Sequence, residues 1–270
     1  MNHRLVSTTL LTTLTLALSP LTLAAAEPLR AGDFSQLTSL PQSPWQLVRF
    51  DEKIPATEYR LREHQGVTAV EARANASMAL LARPLAADLN QTPVLCWRWW
   101  VDEPVAQADL NTKAGDDYAA RIYVTFDLPD SALSLGTRLK LKLARSVHGG
   151  ELPDAAINYV WDNRHPVGTA QANAYTDRAQ MLVLRSGMED SGRWVEERRN
   201  LLDDLQQLFG ADSAQPLQLA IASDGDNTGA QTGALFADLH LVAADAACQF
   251  PPLLTEATAT VSKPTAADEH

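Results

Sequence analysis

The stretch VLCWRWWVDE puts Arg98, Trp100 and Asp102 on one side of an extended chain, and KAGDDYAARIYVTFD does the same with Asp117, Arg121 and Tyr123. Alternate positions of a strand share a face, so each stretch offers an aromatic plane beside a guanidinium and a carboxylate. A sugar ring asks for that chemistry. Its apolar C–H face stacks on an aromatic ring, and its hydroxyls pair with forked donors and acceptors. Placed in one sheet, the two strands would join Arg98, Trp100, Asp117, Arg121 and Tyr123 on a common polar-aromatic face; the plainer alternative is a solvated face with the arginines in structural ion pairs. INYVWDNRHP adds Asn158, Trp161 and Asp162 where a strand runs into a turn, a place that either lines a pocket or folds Asp162 and Asn163 onto their own backbone before Pro166.

SDGDNTG raises a different possibility. Counted from Asp224, Asp226, Thr228 and Gly229 take positions 3, 5 and 6 of a calcium loop, but position 12 is Leu235, where a bidentate Glu is wanted. Strand-like sequence flanks the loop on both sides. A polar turn is therefore the favoured reading, with a structural calcium ion as the lesser alternative; no other cofactor and no metal ligand set is expected. His148, His165 and His240 lack the companion spacing of a zinc site, and no G-x-S-x-G elbow occurs. Asp116 and Asp117 are adjacent, so on a regular strand they point to opposite faces unless the strand starts later.

The elements that must hold these residues are mostly short strands with period-2 alternation, broken by Pro, Gly, Asn and Asp. Ten are expected, over 45–50, 58–62, 67–74, 79–83, 93–101, 117–127, 156–161, 180–185, 217–223 and 234–242. Leu135, Leu139, Leu143 and Val147 recur every four residues before Gly149-Gly150, and ERRNLLDDLQQLFG carries Leu201, Leu205 and Leu208 on one face. Both predict helices. Without regular βαβ alternation the fold class is mainly β, an antiparallel β-sandwich of jelly-roll type with two peripheral helices.

Residues 1–26 have the basic start, apolar run and Ala-rich end of a signal peptide. Residues 27–250 then form a single sandwich domain, and 251–270, rich in Thr, Ala and Pro, a poorly ordered tail. An exported chain with two cysteines invites a Cys96–Cys248 bridge, with two buried free thiols as the alternative. A formal net charge of −11 argues against nucleic acid or anionic lipid as the main partner. No stable membrane insertion is expected after signal cleavage, and the location is periplasmic or secreted.

PVLCWRWWVDEPV, KAGDDYAARIYVTFD, INYVWDNRHPVGT and IASDGDNTGAQTGALFADLHL, in that order, resemble the bacterial exported family catalogued as domain of unknown function 3047, over Asp33 to Val242. That resemblance implies no catalytic residue. The late FADLHL strand more loosely resembles the closing strand of jelly-roll carbohydrate-binding modules. The leading expectation is a protein that binds a glycan or similar polar ligand on the concave face of the sandwich through Arg98, Trp100, Asp117, Arg121, Tyr123, Asn158, Trp161 and Asp162. The alternatives are a polysaccharide lyase or hydrolase using the same groove, which needs two carboxyls across a cleft, and an envelope scaffold that meets a protein partner.

Overall fold

The computed structural model describes residues 27–148 and 152–254. The expected leader and all but the first four residues of the expected tail lie outside the described residues. Thirteen strands are seen among the described residues: β1 (Leu29–Gly32), β2 (Gln46–Val48), β3 (Glu58–His64), β4 (Val67–Asn75), β5 (Leu80–Pro84), β6 (Val94–Val101), β7 (Arg121–Asp127), β8 (Ala155–Asp162), β9 (Ala170–Asn173), β10 (Thr176–Ser186), β11 (Val195–Asn200), β12 (Gln215–Ala222) and β13 (Gln231–Val242). Helix α1 (Leu135–His148) joins β7 to β8, and α2 (Leu201–Phe209) joins β11 to β12.

The strands form two sheets. One runs β11-β6-β13-β4-β3, with β1 also on β13; the other runs β2-β5-β12-β7-β8-β10-β9. Pairing is antiparallel except between β8 and β10, which are parallel. The two sheets stack as a mainly β sandwich of jelly-roll type with two helices.

Alternation decides what each face buries. Leu95, Trp97, Trp99 and Val101 of β6 point between the sheets, as do Ile122, Val124 and Phe126 of β7 and Ile157, Tyr159 and Trp161 of β8. The indoles bridge the two layers. Trp97 lies 5.4 Å from Tyr159 and Trp99 lies 5.8 Å from Trp161, centroid to centroid. Two of their N–H groups find buried partners, Trp99 donating to Glu197 Oε1 at 3.0 Å and Trp161 to the Gly187 carbonyl at 3.1 Å. Truncating an aromatic side chain in such a core costs about 3–5 kcal/mol.

Helix α2 adds Leu201 and Leu205 to this core. It starts at Leu201 because Asn200 accepts a hydrogen bond from the Leu202 N–H, and it ends at Gly210, whose φ of 67° suits a left-handed cap. The preceding ERRN residues, expected as the head of this helix, form the end of β11 instead. Glu197 turns inward there, accepting from Trp99 and from Arg185 at 2.7 Å, contacts that a helical start would not offer. In α1, Leu141 is buried while Leu135 and Leu139 face solvent.

The Cys96–Cys248 bridge is present. It ties the segment after β13 across the outer face of the six-stranded sheet. Arg98 donates to the Pro251 carbonyl at 2.6 Å, and the Leu254 N–H donates to the Gln65 carbonyl at 3.0 Å. The first residues of the expected tail therefore lie against the sandwich.

Candidate functional site

The structure places the eight residues singled out by sequence in five different settings. Strand β6 belongs to the six-stranded sheet and β7 to the seven-stranded one, so Arg98 and Trp100 do not share a face with Arg121 and Tyr123. Arg98 is fully buried under the C-terminal segment, paired with Asp238 at 2.8 Å and stacked 5.1 Å from the Phe250 ring. Trp100 lines a groove of about 630 Å³ on the outer face of its sheet with His64 and Asp102, to which its indole N–H donates at 2.8 Å. Trp161 points into the core. Asp162 is also fully buried and accepts hydrogen bonds from the Arg164 and His165 N–H groups at 2.7 and 2.6 Å, a turn folded onto its own backbone.

The other four meet on the outer face of the seven-stranded sheet. Register sets Ala222, Arg121 and Val160 in one row and Ala220, Tyr123 and Asn158 in the next. Over these rows lies a cavity of about 450 Å³, lined among others by Phe50, Asp116, Arg121, Tyr123, Asn158, Tyr175, Asp224 and Asp226. Strand β7 begins only at Arg121, and the irregular turn before it lets Asp116 and Asp117 both reach this region. Asp116 pairs with Arg121 at 2.6 Å and accepts from Asn173 at 2.9 Å.

Asp117 organises the SDGDNTG loop. One of its oxygens accepts from the Asn227 N–H and side-chain amide at 3.3 and 3.0 Å. The other accepts from the Thr228 N–H and hydroxyl, both at 2.6 Å. Gly225 belongs in this loop because a Cβ there would run into the Ala230 carbonyl, and Gly229 has a φ of 74°. Asp224 is buried with one oxygen on the Tyr118 N–H at 3.0 Å and the other on Arg121. The loop thus delivers Asp224, Asp226 and Asn227 to the cavity wall.

The electrostatics are those of crowded carboxylates around one cation. Burial pushes the Asp224 carboxyl up to about 8, against the pull of Arg121 and with the push of Asp117 and Asp116. Burial and Asp117 also raise Asp226. Burial opposes the charge on Arg121, but Asp116 and Asp224 outweigh it and hold the guanidinium protonated. Burial raises Tyr123 as well, so its hydroxyl stays a neutral donor and acceptor. Among the described residues that line the cavity, three polar atoms are buried with no hydrogen-bond partner, Oδ1 of Asn158, Oδ1 of Asp226 and Nε of Arg121. Asn158 is 1% exposed, and its amide N–H₂ donates to the Met181 sulfur at 3.3 Å, which leaves the carbonyl open.

Oxygens of Asp117, Asp224 and Asp226 all lie within 4.8 Å of one another. Three such carboxylates are near enough to meet one cation, but Asp117 already accepts four hydrogen bonds and both Asp224 oxygens are engaged.

Sequence alternation found Arg121, Tyr123 and Asn158 but missed Phe50, Asn173, Tyr175 and Asp226 as neighbours of this cavity. The NAY stretch at 173–175 carried the signal, an exposed aromatic in an Asn-led turn between β9 and β10.

Fold and site define a β-sandwich protein with an acid- and aromatic-walled cavity on one sheet. The chain belongs to the family described as "Protein of unknown function (DUF3047)", whose model matches residues 43–240. No curated protein matches the sequence. Among solved structures, the chain is similar to the family 11 carbohydrate-binding module of the cellulosomal cellulase Lic26A-Cel5E of Clostridium thermocellum. The identity is 8% and the TM-score 0.37, covering 82% of this chain and 97% of that one. It is also similar to the xyloglucanase domain of NopAA from Sinorhizobium fredii in complex with cellobiose, at 10% identity and TM-score 0.38, covering 74% and 92%. A thermostable Cel12A cellulase derived from that of Rhodothermus marinus matches at 10% and 0.36, covering 73% and 95%. Likenesses this distant carry no argument about what the chain does.

Proposed function

We propose that the protein binds a glycan in the cavity over the seven-stranded sheet. The observation that carries this reading is the open Asn158 carbonyl, a buried acceptor left without a partner in a cavity walled by the Tyr123 and Tyr175 rings. A buried unpaired acceptor costs about 1–3 kcal/mol, a cost that a ligand hydroxyl removes on binding. Half-exposed Tyr175, 54% accessible, and the largely exposed Phe50 offer stacking surface at the rim. The volume suits one or two sugar units and lies within the usual range for ligand pockets, about 300–1,000 Å³.

A glycosidase places its two carboxyls about 5–9.5 Å apart with the scissile bond between them. Asp117, Asp224 and Asp226 instead form one cluster, with oxygens inside 4.8 Å. That cluster does not supply a pair of this spacing, and binding is the reading it favours. The disulfide fits an oxidising compartment, and we read the protein as periplasmic or secreted. No helix among the described residues is long and apolar enough to cross a membrane.

A glycan-array screen followed by calorimetry on the strongest hit tests the reading. Tyr175→Ala and Asn158→Leu should each weaken binding at least ten-fold, the first with an unchanged melting temperature. Retention of full affinity by both variants would sink it.

A further inference from the structure

We infer that the glycan bound in this cavity carries a free cationic amine, an amino sugar with unacylated nitrogen, seated against Asp226. The inference rests on the glycan reading above and names the sugar class. Among the described residues, four aspartates line the cavity, Asp51, Asp116, Asp226 and the carboxyl of Asp224 that burial pushes up to about 8, against one cation, Arg121. Its two terminal nitrogens are committed to Asp116 and Asp224, and only its Nε–H stays without a partner. The nearby Lys113 ammonium stands 5.0 Å over the Tyr175 ring. Asp226 keeps one oxygen buried and unpartnered, and Asn158, 1% exposed, keeps a second acceptor open in the same cavity. Burial and Asp117 push the Asp226 carboxyl up, against a weaker downward pull from its own backbone N–H and from Arg121.

Ligand chemistry can be sorted against these facts. A uronic acid would bring another carboxylate to a wall that already holds too many. A neutral sugar would satisfy the hydrogen bonds and leave the charge uncompensated. A calcium ion wants about six to eight oxygens, whereas both oxygens of Asp117 and both of Asp224 already accept protein hydrogen bonds. An ammonium has three N–H donors and needs only about three acceptors. The site also already places a cation against aromatic rings, since the Arg121 guanidinium sits 4.6 Å from the Tyr118 ring and 5.4 Å from the Tyr123 ring.

The test is calorimetry on the protein with four probes: a β-1,4-linked glucosamine tetramer, its fully N-acetylated counterpart, cellotetraose and calcium chloride. The free amine should bind at least ten-fold tighter than the acetylated and neutral tetramers. Asp226→Asn, close in shape, should reduce that preference to about two-fold. Equal binding of all three tetramers would overturn the amine inference and leave the glycan reading standing. Binding of none would remove both. Calcium binding lost in Asp226→Asn, with no preference for the amine, would overturn the inference in favour of an inorganic cation.

Discussion

Asp117 can be removed to ask whether one buried carboxylate holds the loop that builds the cavity. It is fully buried and accepts four hydrogen bonds, two of them from the backbone N–H groups of Asn227 and Thr228. In Asp117→Ala those two N–H groups lose their acceptor. Each costs about 1–3 kcal/mol if it stays dry. Asn227 and Thr228 are half-buried, so water recovers part of that cost. Relief of repulsion on Asp224 and Asp226 offsets a little more. The net expectation is a loss of about 2–4 kcal/mol, or roughly 4–16 °C in melting temperature for a domain of this size. Asp117→Asn keeps one acceptor and should lose about half as much. Urea unfolding gives the free energy, and calorimetry with the best glycan gives the second readout, where affinity should fall at least ten-fold because the loop carries Asp226 and Asn227. An Asp117→Ala variant within about 0.5 kcal/mol of wild type, with unchanged affinity, would refute the reasoning.

Three further outcomes are expected. Asp224 has a folded pKa of about 8, above its unfolded value, so its contribution is fully present below about pH 4 and is lost as pH rises toward 8; Asp224→Asn should remove that slope from stability measured between pH 4 and 8. Glu71 has the opposite sign: burial raises it, but Arg60, Arg73 and Arg62 outweigh burial and hold it at about 2. Its contribution is therefore present above about pH 4.5 and fades toward pH 2, and Glu71→Gln should flatten the acid limb of the unfolding curve by about 1–2 kcal/mol, given that the three arginines are well exposed. Reducing the Cys96–Cys248 bridge opens a closure of 152 residues and should cost about 4–5 kcal/mol by chain entropy, read as a shift of the urea midpoint with and without reductant.

Much of the sandwich was legible because alternation is a local signal. VLCWRWWVDE sorted its side chains as the structure does, with Leu95, Trp97 and Trp99 inward and Cys96, Arg98 and Trp100 outward. Strand partnership is not local. Nothing within β6 or β7 says that they belong to opposite sheets, so the face expected to unite Arg98 with Arg121 was split. The short strands β1, β9 and β11 are not legible because four to six residues hold too few alternations. VEERRN also lacks the apolar face that marks a strand, and its inward Glu197 is satisfied only by Trp99 and Arg185 from elsewhere in the chain. The SDGDNTG loop is a turn, and a turn aspartate ordinarily meets backbone N–H groups. Asp224 does so at Tyr118, but the residue that secures the turn is Asp117, more than a hundred positions earlier. Phe50 and Tyr175 come to the cavity from equally distant turns, and only the tertiary fold assembles them.

The most direct test of the central claim is a backbone amide NMR titration of the protein with the tightest glycan from an array. The account predicts that the largest shifts gather at Tyr123, Asn158, Tyr175, Asp226 and Asn227 on the seven-stranded sheet. Shifts gathered instead at His64, Trp100 and Asp102 on the opposite sheet, or no shift with any glycan, would contradict it.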